Sequence, residues 1–341
     1  MGVDLGDVPK TSARIADLSG KKFAVDAFNT IYQFLSSIRQ PDGTPLQDSH
    51  GNTTGHLVGI FYRNAKLLEN GIHPIYVFDG KPPGFKWDVL AERSERKLAA
   101  EAAWKAALEK GNLAEARKHA QATSRLTPAM VLECKELLGL MGIPVVEAPS
   151  EGEAQASQMA IEGSVDAVAS QDMDCLLFGA PLLLRNLSIG GRRKMPGRNE
   201  YVEIEPEFIE LSAALSTLMI TREQLVWMGI LIGTDFDEGV KGVGPKKAYK
   251  IVKESSSIEE AAAKAGASEQ AEHFKAVEAF FLHPPVKQKV YAQPGKMDKQ
   301  GLLKFLSGKH DFSEERVGRT VDSAEKKMKE VGGQTKLGSW S

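Results

Sequence analysis

The sequence predicts an α/β fold: a central, mostly parallel, twisted sheet flanked by helices. Short β-rich apolar runs alternate with helix-like stretches through the first half of the chain, the rhythm of strands joined by crossover helices. Four apolar runs each end on a carboxylate, at Asp26, Asp79, Asp172 and Asp235, and parallel sheets place their sites at the carboxyl ends of strands. A chain of 341 residues with 42% hydrophobic residues is also long enough to bury a sizeable core, as one large domain or two smaller ones.

Taken in order, Phe23 to Asp26 reads as a strand, and Phe28, Ile31, Tyr32 and Leu35 then recur at helical spacing. Ile75 to Phe78 and Val165 to Ala169 are further strands. From Trp87 to about Ala122 the chain is dense in Ala, Glu, Lys and Arg, and Gly111-Asn112 splits it into two helices with a thin apolar stripe. Such a pair lies on the surface or projects from the body. Ser150-Glu151-Gly152-Glu153 opens a helix through Ile161, and Arg185 to Glu203, with Gly190-Gly191 between two runs, reads as a β-hairpin. Leu225, Met228 and Ile232 recur at helical spacing, so Asp235 is expected at a helix end, unlike the other three. Beyond Ile251 the chain is helical in character, broken at Pro284-Pro285 and Pro294-Gly295, and the Gly-rich tail after Val331 is expected to be flexible.

Composition excludes several classes. The longest apolar stretch, around Leu225 to Ile232, is far too short to span a bilayer, and the amino terminus lacks the pattern of a signal peptide. Cys134 and Cys175 are too few for a disulfide framework and form no Cys-x-x-Cys zinc pattern, which favours a reducing, intracellular setting. The net charge of −2 does not advertise a polyanion partner, yet basic residues cluster at Lys241 to Lys253, at Arg185 to Arg198 and between Lys81 and Arg125.

Apolar elements that bring Asp26, Asp79, Asp172 and Asp235 to one edge, with Asp174, Glu151 and Glu153 nearby, would build a cluster of like charges that only cations can neutralise. Divalent metal ions and an anionic substrate follow. Each motif also has a plainer reading. Ser150 with Glu153 matches a capping box, but an Asp-x-Asp follows one helix and strand later, so the acids recur in step with one βαβ unit. Asp172-Met173-Asp174 after a strand also fits an aspartyl-phosphate phosphatase; Cys175, Leu176 and Leu177 stand where that reading wants a hydroxyl, and the other acids go unexplained. Gly242-Val243-Gly244, followed by a helix bearing Lys246 and Lys247, fails as a dinucleotide fingerprint because Pro245 and Lys247 displace the third glycine. As a phosphodiester clamp it is well made, since free N–H groups at a helix amino terminus point at phosphate.

The strings Val-Asp-Ala, Tyr-Val-Phe-Asp-Gly-Lys-Pro-Pro, Ala-Pro-Ser-Glu-Gly-Glu-Ala, Gln-Asp-Met-Asp-Cys-Leu-Leu-Phe-Gly, and Gly-Thr-Asp-Phe with Gly-Val-Gly-Pro-Lys-Lys-Ala occur in order between Gly2 and about Val317. Together they closely resemble the flap endonucleases of the structure-specific 5′ nuclease superfamily. The resemblance implies a helical arch and a helix-two-turn-helix DNA-binding element added to the α/β body. It implies a single nuclease domain over 1–317: an N-terminal part over about 1–100, the arch over about 87–125, an internal part over about 126–260 with the Gly-Val-Gly clamp at 241–253, and a helical C-terminal part over about 254–317. Residues 318–341 would be a C-terminal helix and flexible tail.

The same resemblance implies a two-metal phosphodiesterase that cuts 5′ flaps on branched double-stranded DNA during replication and repair, with 5′-3′ exonuclease action on nicked or gapped duplex. Two Mg²⁺ ions, for which Mn²⁺ can substitute, would sit among Asp26, Asp79, Glu151, Glu153, Asp172, Asp174 and Asp235, roughly 3.5–4 Å apart. Lys86 and Arg93 match the basic residues at the arch base that act on the scissile phosphate, and Tyr32 matches a base-stacking position. Gly2, Arg39, Thr54, Gly242, Gly244, Lys246 and Lys247 would contact DNA. Gln334, Leu337 and Trp340 resemble a sliding-clamp motif in which Ser341 replaces the second aromatic, so docking is expected to be weak. The lack of a long basic extension is expected of an archaeal member: a monomer, cytoplasmic and nucleoid-associated, where a eukaryotic one would be nuclear. The competing class, a non-catalytic junction or clamp-binding scaffold, predicts losses among the seven acids, and none is lost.

Overall fold

The computed structural model describes residues 3–6, 8–187, 191–194 and 201–338, with backbone alone at 86–94, 96, 191–194, 201–203 and 331–338. Its frame is a seven-stranded sheet in the order β1-β9-β6-β5-β2-β3-β4. Five parallel strands form the centre: β2 (Lys22–Asp26), β3 (His73–Phe78), β4 (Val145–Glu147), β5 (Ala167–Ala169) and β6 (Leu182–Arg185). On one side β6 is extended by two antiparallel strands, β9 (Glu207–Glu210) and then β1 (Thr11–Ser12) at the edge. The sequence reading did not anticipate this edge, because β1 has two exposed polar residues and β9 carries a glutamate at each end.

Successive side chains of the central strands enter two cores on opposite faces, as the pleat requires. Ala24, Ile75, Val77, Val146, Val168 and Leu183 pack on one face, and Phe23, Val25, Tyr76, Phe78, Ala169 and Leu184 on the other. Because both faces are covered, the strands read as unbroken apolar runs. The second face is closed by α1 (Ala27–Ser37) and α2 (Gly55–Glu69), followed along the chain by the antiparallel pair α3 (Trp87–Glu109) and α4 (Leu113–Gln121), then by α5 (Pro128–Leu140), which also packs on that face. Against the first face lie α6 (Gly152–Ile161), α7 (Asp174–Leu177), α8 (Leu211–Leu218), α9 (Arg222–Ile232), α10 (Pro245–Lys253), α11 (Ile258–Ala265) and α12 (Ala271–Leu282).

The chain builds β2, β3 and β4 outward in one direction and then returns to place β5 on the other side of β2. Strand order therefore reverses between β2 and β5, the place where open α/β sheets form a crevice at their carboxyl ends. Register aligns Val25 with Ala169, so Asp26 and Ser170 are the first residues past the aligned pair. The helical pair forms as expected, turning at Gly111 (φ 69°) with Asn112 capping α4 through Glu115 N. It is tied back to the body where Trp104 Nε1 donates to Asp42 O at 3.3 Å and Arg39 reaches Gly43 O at 2.9 Å and Ser124 Oγ at 3.0 Å. Between α9 and α10 the chain bends at 235–236 and turns at 241–242, with Gly239 and Gly242 at positive φ, a short glycine-rich connection between two helices.

Two sequence expectations are corrected. The hairpin is present as β7 (Gly191–Lys194) against β8 (Tyr201–Ile204), but Gly191 opens a strand instead of forming the turn; residues 195–200 between the strands lie outside the described residues. The stretch after Val331, expected to be flexible, continues the C-terminal helix Glu314–Gly338, because Glu, Lys, Gln and Leu around Gly332-Gly333 sustain helical backbone.

Candidate metal centre

Three carboxylates form the heart of the site. Oxygens of Glu153, Asp172 and Asp174 lie within 4.8 Å of one another, the only such group among the described residues. Each arrives by a different local device. Asp26 ends β2 and caps α1, accepting from Asn29 N at 3.0 Å. Asp172 follows β5 and accepts from Asp174 N at 3.1 Å, so the Asp-x-Asp spacing holds both side chains on one tight turn. Asp174 opens α7, takes Val3 N on Oδ1 at 2.9 Å, and leaves Oδ2 buried without a hydrogen-bond partner. Asp79 follows β3 and accepts from Gly152 N at 2.7 Å, which joins it to the amino terminus of α6, where Glu151 is the N-cap. Asp235 lies three residues beyond α9, as expected of a helix end, and its charge acts on Glu153, Asp172 and Asp174.

The capping box read from Ser150 and Glu153 does not form. Glu151, not Ser150, is the N-cap, and the Glu153 side chain turns to the acids, where Ser170 Oγ approaches Glu153 Oε1 at 3.3 Å and Asp26 Oδ2 at 3.2 Å. Ser170 also accepts from Asp172 N at 3.1 Å. Sequence reasoning missed this serine. Its signal is its place two residues before Asp172, in register with Asp26.

Burial and mutual repulsion raise these carboxyls. Burial pushes Asp26 up to about 6, with Asp172 adding to it. Glu153 and Asp174 rise well above the ordinary carboxylate range, first through burial and then through Asp172 and their other acidic neighbours. Asp172 rises through burial and Asp235. Clustered acids that resist ionisation, one with an oxygen lacking any protein partner, have the donor set of a hard divalent cation. The residues present fit such an ion.

Backbone geometry fixes the second rank of acids. A Cβ on Gly152 would lie 2.7 Å from Asp79 Oδ1 and 3.2 Å from Val77 O, so the approach of α6 to β3 requires glycine. Gly152→Ala is expected to displace Asp79 and Glu151 and weaken divalent-ion binding about tenfold, by about 1.4 kcal/mol. Calorimetric titration of the ion into both proteins checks this.

Comparison with known proteins agrees with the geometry. Residues 7–100 match the XPG N-terminal domain and residues 142–235 the XPG I-region. Flap endonuclease 1 of Pyrococcus horikoshii is 52% identical over 342 residues, covering 100% of this chain and 98% of that protein; that of Methanococcoides burtonii is 48% identical over 341 residues, covering 100% of both. The chain belongs to the flap endonuclease family. The solved flap endonuclease-1 from Methanococcus jannaschii superposes with a TM-score of 0.73 at 41% identity, covering 96% of this chain and 99% of that one. The catalytic core of Rad2 in complex with DNA substrate shares the fold, with a TM-score of 0.68 at 23% identity, covering 92% of this chain and 96% of that one. Membership makes the chain a structure-specific DNA endonuclease of replication and repair, a phosphodiester hydrolase whose family is metal-dependent.

The other residues singled out in the sequence lie on several different elements. Lys86 closes a 3₁₀ turn (Gly84–Lys86) and Arg93 lies in the second turn of α3, seven residues on and near the same helical face. Lys97, four residues past Arg93, continues that face, and its Nζ stands 4.8 Å from the centroid of the Tyr32 ring on α1. This cation was not singled out in the sequence, although the i+4 step from Arg93 was its signal. Gly2 lies outside the described residues, while Val3 reaches Asp174.

Gly242 needs its positive φ of 79°, whereas Gly244 has ordinary extended backbone and a Cβ there would meet nothing. Nothing inside the chain requires glycine at 244, so open space remains for another molecule's backbone. Lys246 and Lys247 are exposed on α10 while Ala248 and Val252 are buried beneath. Arg39 and Thr54 turn inward instead: the guanidinium holds Leu35 O, Gly43 O and Ser124, and Thr54 is buried. Gln334 and Leu337 sit on helical backbone, and Trp340 lies outside the described residues. Among the described residues no single helix is long and apolar enough to cross a membrane.

Proposed function

We propose that the chain cuts 5′ single-stranded flaps from branched duplex DNA, as Okazaki fragment maturation and repair require, and trims nicked or gapped duplex 5′ to 3′. The observation that carries the reading is the buried acidic cluster at the switch point of the sheet, with Asp174 Oδ2 unpartnered. Two Mg²⁺ ions, or Mn²⁺ in their place, would supply a polarised water and neutralise the leaving oxygen. Asp79, Glu151, Glu153, Asp172 and Asp174 would hold them, with Asp26 and Asp235 ordering the outer waters.

The chain's other residues bind and orient. Lys86 and Arg93 at the arch base present positive charge where the phosphate becomes more negative in the transition state. Tyr32 stacks a terminal base once the Lys97 ammonium moves off its ring. Gly242, Gly244, Lys246 and Lys247 grip the downstream duplex backbone, and Gly2, outside the described residues, contacts the DNA. Arg39 and Thr54 act on the upstream duplex by shaping the loop over 39–54. The protein works as a monomer, in the cytoplasm with the nucleoid, and its tail, through Gln334, Leu337 and Trp340, docks weakly on a sliding clamp.

A cleavage assay with flap, nicked and blunt duplexes in Mg²⁺ tests the reading. Wild type is expected to cut the flap fastest, and Lys86→Ala to cut it about 10²-fold more slowly with little change in duplex affinity. Preference for blunt ends would overturn the flap specificity.

A further inference from the structure

We infer that Phe85 is a positioning residue, the side chain that seats the arch base against the metal centre. The inference rests on the reading of Lys86 given above. Phe85 is the middle residue of the turn Gly84–Lys86, directly before Lys86. Gly84 is exposed and a Cβ there would meet nothing, so Phe85 carries the turn's contact with the protein body. Its ring meets Phe280 at 5.4 Å, Phe236 at 5.8 Å and His273 at 6.2 Å between centroids, each nearly perpendicular. Edge-to-face contacts depend on ring orientation, so three at once favour one placement of the turn.

What Phe85 touches makes this placement functional. Phe236 directly follows Asp235 and packs in turn on Phe178, Phe280 and Phe281. Phe178 caps α7, four residues after Asp174. One aromatic cluster thus touches the Asp174 helix, the Asp235 loop and the residue before Lys86. His273, on the rim, pairs with Asp237 at 2.8 Å, and Asp237 holds Gly239 N, which ties the same loop to α12. Before the turn, the segment is held by the Asp79 side chain on Gly152 N at 2.7 Å and by the backbone bonds of Gly80 N to Ser150 O at 2.6 Å and Lys81 N to Pro149 O at 3.3 Å. These bonds set where the chain leaves Asp79; the Phe85 ring sets where it enters the arch.

A misplacement of about 1 Å costs on the order of 10²-fold in rate. Phe85→Ala is therefore expected to lower single-turnover flap cleavage about 10–100-fold and the melting temperature by a few degrees, with duplex affinity and Mg²⁺ affinity near wild type. Phe85→Leu, which keeps apolar volume and loses the edge contacts, is expected to fall between. The discriminating readout is a double-mutant cycle: Phe85→Ala combined with Lys86→Ala should be no slower than Lys86→Ala alone. Multiplied losses, a wild-type rate in Phe85→Ala, or a Mg²⁺ affinity that falls in step with the rate would overturn the inference while leaving the Lys86 reading intact. A wild-type rate in Lys86→Ala would overturn that reading and this inference with it.

Discussion

Asp174→Asn is expected to slow cleavage by about 10²–10³-fold and, without metal, to make the protein more stable. The two signs come from one arrangement. Asp174 is fully buried, its carboxyl is raised by burial, Asp172 and Asp235, and its Oδ2 has no protein partner. In the metal-free protein that charge is unfavourable, and the amide removes it while keeping an oxygen to accept from Val3 N. A gain of about 1 kcal/mol corresponds to roughly 2 °C in a chain of this size. With Mg²⁺ the order reverses, since an ion that binds only the folded state stabilises wild type by mass action and the variant less. Thermal melts of both proteins in EDTA and in Mg²⁺, beside cleavage rates, check all four signs. An ordinary core carboxylate would lose stability in both conditions.

The same charges make metal-free stability depend on pH. Burial raises Asp26 from 3.8 to about 6, so between these values the folded carboxyl is protonated while the unfolded one is ionised. The folded state then binds the extra proton, and stability falls as pH rises through this window and stays low above it. The shift of about two units corresponds to roughly 3 kcal/mol as an upper bound. Glu153, Asp172 and Asp174 are raised in the same direction. Burial holds His56 and His73 below their ordinary value, which removes stability as pH falls through about 6.5 and opposes the carboxylates. The cluster is therefore read by difference: in EDTA, wild type should gain more stability than Asp26→Asn on going from pH 8 to pH 5. Equal gains would show that Asp26 does not titrate between these values.

The site was largely legible because its acids are set by strand ends. Asp26, Asp79 and Asp172 follow apolar runs covered on both faces, and their recurrence at successive strand ends pointed to one edge even though Asp26 also caps α1 and Asp79 also holds Gly152 N. Glu153 was ambiguous in sequence, since a capping box and a metal ligand use the same residue types; only the neighbouring acids and Ser170 decide between them in three dimensions. Contacts between elements distant in sequence left no local signal. The Lys97 and Tyr32 pair joins α3 to α1, and Phe85 reaches α12 some two hundred residues away. Arg39 reads as a surface cation in sequence, yet three acceptors close around it once α4 brings Ser124 near. Strand β9 escaped notice because its only apolar residues, Phe208 and Ile209, are flanked by Glu207 and Glu210, which leaves no continuous apolar run.

The central claim is that Glu153, Asp172 and Asp174, with the acids around them, bind the divalent ions that DNA cleavage needs. Calorimetric titration of Mg²⁺ into wild type and Asp172→Asn at pH 6 and pH 8 tests it most directly. Wild type is expected to bind, releasing more protons at pH 6 than at pH 8 because the raised carboxyls must ionise first, and Asp172→Asn is expected to bind at least tenfold more weakly, by about 1.4 kcal/mol or more. Identical isotherms for the two proteins, with no proton release at pH 6, would contradict the account.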